Sequence, residues 1–177
     1  MGHVSESFRR MLRALPDFPD ELPDFDPDTA PSDPVELFQD WLEAAVVRGI
    51  RQPHAFSLAT TDAAGLVSSR MLILKDIDAD GWWFATSRFS RKGRELAENA
   101  AVALNFFWAE LGRQVRVTGD AVELSDETSA ADWAARPSSD GSANPTWQVY
   151  AVRPREIEFW QARHDRNHIR HRYDFSA

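Results

Sequence analysis

The sequence predicts a mainly β chain with flanking helices, an α+β fold whose centre is a small antiparallel barrel, closed or split. Three observations lead there. From His54 onward, HAFSLATT, LVSSRMLILK, WWFAT, AVALNFFW and RQVRVTGDAVEL repeat their apolar residues with period two. The turns DAAG and DADG join the first of these runs as hairpins. One helical stretch, opening at Ser90, interrupts the strands, and antiparallel strands so spaced close most simply into a barrel.

In chain order, residues 5–15 carry a short basic helical pattern, and prolines then alternate with acids from Pro16 to Pro34. Such a run supports no regular packed element, so residues 1–33 are expected to be an extended acidic arm and residues 34–177 a single domain. Asp33 and Pro34 open a helix as cap and first helical residue. Leu37, Phe38, Trp41, Leu42 and Ala45 give it one apolar face, and it ends near Gly49. After the strands, Ser125 caps a second helix stopped by Pro137, SSDGSANP forms a loop, TWQVYAVRP and REIEFWQA read as two strands, and the tail from Arg163 is basic.

The stretch from Arg70 to Arg94 concentrates charge. It holds Arg70, Lys75, Arg88, Arg91, Lys92 and Arg94 in a chain of net charge -8, including both lysines of the protein. Ser90 is a good N-cap, yet the first turn after it begins with Arg91 and Lys92, where the helix dipole disfavours cations by about 0.3–1 kcal/mol each. A phosphate would reverse that sign by accepting from backbone N–H groups and both side chains. The pattern also fits a solvated basic helix end whose arginines pair with Glu95 and Glu98.

Composition excludes several chemistries. With no cysteine there is no disulfide, thiolate metal site or cysteine nucleophile. No apolar span reaches the roughly 18 residues of a membrane helix and the N-terminus has no signal-peptide core, so no membrane is expected and the location is cytoplasmic. A pI near 5.1 argues against nucleic acid as a partner. His164, His168 and His171 would align on a helix, but arginines interleave them and no metal is expected.

The ordered motifs RMLILK, FAT then SRK, FFW, RQV then G, RP, and IEFW with R-x-H-x-R resemble the pyridoxamine 5'-phosphate oxidase family of FMN-dependent enzymes. The resemblance implies a split-barrel homodimer with FMN at the subunit interface. By position, Arg70, Met71, Leu72, Ile73, Leu74 and Lys75 flank the flavin, Ala85 and Thr86 line it, and Arg91 and Lys92 hold its phosphate. Gln114 touches the ring, and Trp160 and Arg170 complete the cofactor site. Lys75, Arg136, Arg166 and His168 match the substrate-binding residues, with Arg166 and His168 as the catalytic pair over the substrate ring. The implied reaction passes a hydride from a small aromatic or heterocyclic amine or alcohol, nominally pyridoxamine or pyridoxine 5'-phosphate, to FMN, with O2 reduced to H2O2.

Departures from the family pattern open alternatives. Asp132 stands at a tyrosine position and Asp140 near a serine position, beside Ser138 and Ser139. A carboxylate at contact with a phosphate is repulsive by about 1 kcal/mol in water, and by more when shielded. KGRELA, and DW before the RP pair, equally resemble the FMN oxidases of phenazine biosynthesis, whose substrate is a non-phosphorylated polycyclic aromatic. A non-catalytic FMN-binding protein is a third reading. The loop after Pro137 lacks the family's Gln-Ser pair for the FMN phosphate, and the sequence ends at Ala177 where the family continues to a final strand, which together predict weaker FMN binding. Arg70 and Lys75, five residues apart, would face opposite sides of a regular strand, so both reach a flavin only if the strand bends or ends near Lys75 or one crosses the dimer.

Overall fold

The computed structural model describes residues 6–137 and 139–175, so Ser5, Ser138 and Ala177 lie outside it. Eight strands form one antiparallel sheet: β1 (Ala55–Thr61), β2 (Val67–Ile73), β3 (Asp76–Asp78), β4 (Gly81–Ser87), β5 (Ala101–Trp108), β6 (Arg113–Glu123), β7 (Trp147–Gln161) and β8 (Ile169–Asp174). Their order is β2-β1-β5-β6-β7-β4-β3, with β8 also paired to β7, and the sheet curls into a half-barrel. Four α-helices flank it: α1 (Glu6–Arg13), α2 (Pro34–Val47), α3 (Arg91–Glu98) and α4 (Asp126–Ala134).

Period-two patterning is realised as burial. Along β1, β5 and β6 every second side chain is buried. β2 buries none and leaves Val67 and Met71 well exposed on the sheet edge. Asp33 caps α2 by accepting from Val35 N at 2.8 Å. This helix fills the concave side: Phe38 lies 4.6 Å from the Trp82 ring and 4.9 Å from Phe106, and Trp41 lies 5.2 Å from Phe159. Each such buried aromatic contributes about 1.5–3 kcal/mol of burial free energy.

One expectation needs correction and two readings gain detail. TWQVYAVRP and REIEFWQA are one strand of 15 residues, β7, whose first half pairs with β4 and whose second half pairs with β8. Pro154 does not end it because the register against β6 shifts there, pairing Gly119 with Pro154 and Thr118 with Glu156, so Arg155 is the extra residue of a bulge. Gly119 allows that approach, since a Cβ would sit 2.0 Å from the Arg153 carbonyl oxygen. The acidic arm, secondly, packs on its own chain. Phe25 lies 5.2 Å from the Trp41 ring, Tyr173 Oη donates to Pro31 O at 2.6 Å, and His164 bonds Asp20 O at 3.1 Å. Among the described residues of the arm, α1 buries no side chain. Thirdly, the tail histidines share no helix: His164 sits in a turn, His168 in the irregular stretch just before β8, and His171 in β8. No helix among the described residues is long and apolar enough to cross a membrane.

Candidate active site

Ser90 caps α3, accepting from Gly93 N at 3.1 Å, and the first turn contains no acid. Gly93 lets the turn sit tightly on the end of β4, since a Cβ there would meet the Ser87 and Arg88 carbonyl oxygens at 2.5 Å. Thr86 Oγ1 lies 3.3 Å from Ser90 Oγ, and Lys92 Nζ reaches the same oxygen at 3.5 Å. Arg70 comes to this point from β2, donating to Leu58 O, Thr60 Oγ1 and Ser68 Oγ, and pairing with Glu95 Oε2 at 3.3 Å. Arg91 Nε donates to Glu95 Oε1 at 2.8 Å, while its side chain stays 65% exposed. Burial lowers the Lys92 pKa, and the Arg70 charge lowers it further against a smaller opposing effect of Glu95. The Arg70 and Lys92 charges therefore lie close enough to interact.

Glu95 is 4% exposed and is the carboxylate of this group. It accepts from Thr60 Oγ1 and from Ser68 Oγ at 2.8 Å, as well as from both arginines. Hydrogen bonds from Thr60 first, then Ser68, hold its pKa down to about 2. Of the alternative in which the arginines merely pair with helix acids, only the Glu95 part is seen, for Glu98 accepts from Ala63 N at 3.1 Å. Arg88 and Arg94 leave the cluster: Arg88 pairs with Glu123 and Asp126, and Arg94 donates to Phe89 O. Arg70, Arg91 and Lys92 thus face a single carboxylate beside a helix N-terminus, a donor set that fits a phosphate.

The question of Arg70 and Lys75 resolves in the backbone. β2 ends at Ile73, and Lys75 N then donates to Trp83 O at 2.9 Å, which redirects the chain before the lysine. Met71, Leu72, Ile73, Lys75, Ala85 and Arg136 line one cleft of about 540 Å³ with Gln52, Ala55, Pro137 and Trp147. Leu74 turns to the core. Lys75 Nζ pairs with Asp132 Oδ1 at 3.2 Å, and Asp132 Oδ2 accepts from Trp147 Nε1 at 2.8 Å. The Arg136 guanidinium lies 4.8 Å from the Trp133 ring and 4.5 Å from Trp147. Asp140 instead closes its own loop, accepting from Ser142 N at 2.9 Å and from Ser142 Oγ, contacts that lower its pKa.

The remaining expected residues form a second group. Gln114, Trp160 and Arg170 are lateral neighbours on β6, β7 and β8. His168 packs 4.7 Å from the Trp160 ring, and its Nδ1 accepts from Arg163 N at 3.1 Å, so the neutral ring carries its proton on Nε2. Arg166 has a left-handed backbone, φ 62, in the turn before β8. The arm reaches this group too, with Asp17 Oδ2 3.8 Å from Arg166 Nη2 and Phe18 6.0 Å from the Trp160 ring. None of the five lines the cleft. Three strand spacings, about 14 Å, separate β2 from β6, so one chain does not bring the two groups together.

Thr60, Ser68 and Trp147 were not expected at the site. Ser68 and Arg70 stand two apart on one strand, which puts them on one face, and that spacing was the available signal. Nothing local pointed to Thr60 or Trp147.

The pyridoxamine 5'-phosphate oxidase profile matches residues 42–161, and the pyridoxine 5'-phosphate oxidase C-terminal dimerisation region matches residues 147–177. A pyridoxine/pyridoxamine 5'-phosphate oxidase of Actinobacillus succinogenes is 37% identical over 175 residues, covering 80% of this chain and 83% of the relative. One from Deinococcus deserti is 36% identical over 178 residues, with 80% and 83% covered. Among solved structures, PhzG from Burkholderia lata 383, in complex with tetrahydrophenazine-1-carboxylic acid, superposes with a TM-score of 0.79 at 32% identity, covering 86% of this chain and 93% of that one. A pyridoxamine 5'-phosphate oxidase-related, FMN-binding protein of Nostoc punctiforme shares the fold, with a TM-score of 0.63 at 12% identity over 82% of this chain and 100% of that one.

Proposed function

The chain belongs to the pyridoxamine 5'-phosphate oxidase family, and on that premise we propose that it is a cytoplasmic, homodimeric, FMN-dependent oxidase of small aromatic or heterocyclic amines or alcohols. The observation that carries the cofactor is the meeting of Arg70, Arg91 and Lys92 with one carboxylate at the N-terminus of α3. These residues would hold the phosphate of FMN, and the Met71–Ile73 segment and Ala85 would lie against its ring. Bound FMN would supply a hydride acceptor that hands its electrons to O2, giving H2O2.

The separation of the two groups supports the dimer. Gln114, Trp160, Arg166, His168 and Arg170 serve a flavin only if a partner subunit carries them to this chain's cleft, and the dimerisation region spans four of those five. The Gln114 amide can donate to or accept from the polar ring edge. His168, held by Arg163 N–H at Nδ1, presents Nε2–H as a donor that orients a substrate oxygen, and Arg166 supplies a fixed positive charge beside it. Pyridoxamine or pyridoxine 5'-phosphate is the nominal substrate, with Lys75 and Arg136 as its phosphate ligands.

A second substrate reading rests on Asp132. The lysine that would meet a substrate phosphate already has a carboxylate at 3.2 Å. A planar aromatic without phosphate would leave that pair intact and lie among Ala55, Ile73, Ala85 and Trp147. Anaerobic mixing of the FMN-loaded protein with pyridoxamine phosphate, pyridoxamine and a reduced tricyclic aromatic acid separates the readings, because only a true substrate bleaches the flavin band. Bleaching by none of them would favour a non-catalytic FMN-binding role.

A further inference from the structure

We propose that Glu95 is a positioning residue for the cofactor phosphate, a buried carboxylate that presets Arg70 and Arg91 for the anion. This rests on the FMN reading above and adds a residue to it. A carboxylate beside an anion site should weaken it by simple charge repulsion. The geometry gives Glu95 the opposite effect.

Its two oxygens take Thr60 and Ser68 hydroxyls together with Arg70 Nη2 and Arg91 Nε. Arg70, which also donates to Leu58 O, Thr60 Oγ1 and Ser68 Oγ, is therefore fixed at both terminal nitrogens, and offers an anion its charge and its Nε–H, which is outside these bonds. Without Glu95, Arg70 and Lys92 would be two partly buried cations in mutual repulsion, and one of them would swing away. Arg91 is caught only at Nε, which orients the guanidinium while leaving its Nη pair for a ligand. The four donor residues lie on β1, β2 and α3, so Glu95 ties the helix that offers its N-terminus to the strands that offer the arginine. Its low pKa, about 2, keeps it charged throughout the working pH range.

The test compares equilibrium binding of FMN and of riboflavin, which lacks the phosphate, in the wild type, Glu95→Gln and Ser68→Ala, by quenching of flavin fluorescence. Glu95→Gln removes a negative charge and turns an N–H donor toward either Arg70 or Arg91. Positioning predicts about tenfold or weaker FMN binding with riboflavin unchanged, and a smaller loss of the same kind for Ser68→Ala. FMN binding by Glu95→Gln as tight as wild type, or tighter, overturns the proposal, as does equal weakening for both flavins, which would mark a merely structural role. If Glu95→Gln does not fold, Ser68→Ala on the exposed edge strand decides by the same comparison. Wild-type protein that binds FMN no better than riboflavin would instead sink the FMN-phosphate reading itself.

Discussion

On the proposed function, Asp132 is the residue on which substrate choice turns. Its carboxylate neutralises Lys75 and is held in place by Trp147. Asp132→Asn would still accept from Trp147 Nε1 but release the lysine, so KM for pyridoxamine phosphate should fall about tenfold while FMN affinity stays constant. An unchanged KM in steady-state kinetics would remove Asp132 from the specificity argument. Glu95 makes a second residue-scale prediction, in pH. Its pKa is depressed from 4.5 in the unfolded chain to about 2 in the fold, so its contribution is complete above the unfolded value and is lost as pH falls from about 4.5 toward 2. Acid unfolding followed by circular dichroism should show wild type losing stability in that window faster than Glu95→Gln, whose amide does not titrate there. Equal slopes would contradict the sign.

At the scale of elements, α2 and β7 organise the domain. Phe38 places an aromatic ring between Trp82 and Phe106, so Phe38→Ala should cost about 3–5 kcal/mol, read as a lower midpoint in urea with the m-value retained. A loss below about 1 kcal/mol would mean that α2 is not the plug of the half-barrel. Most strand positions and the three capped helices were legible, because period-two burial, Ser90, Ser125 and Asp33 are local signals. β7 was not, since Pro154 reads as a terminator unless the bulge opposite Gly119 is known, and a bulge is a property of two paired strands. Where the arm packs was not legible for a similar reason. Its prolines exclude regular structure, but Phe25 and Pro31 find partners in Trp41 and Tyr173, residues distant in sequence. Of the candidate site, the cations were legible from charge against the helix dipole. Glu95 was legible as a partner of the arginines but its burial was not, because in isolation it looks like any helix-surface acid.

At the scale of the molecule, the two half-sites and the exposed apolar residues point to the same assembly. Leu66, Val67 and Met71, each more than 60% exposed, lie along the free edge of the sheet at β2, beside the cleft. Val67→Asp, outside the proposed flavin contacts, should convert a dimer to a monomer in light scattering and weaken FMN binding in parallel, because the second group of site residues would be lost. A monomer that retains full FMN affinity would break the link between assembly and site.

The most direct measurement is the visible spectrum of the purified protein after FMN is added and the excess removed, followed by anaerobic addition of pyridoxamine phosphate and then of a non-phosphorylated tricyclic aromatic. The account predicts a yellow complex whose flavin band bleaches with one of these substrates and returns on admitting oxygen. A protein that emerges colourless would contradict it.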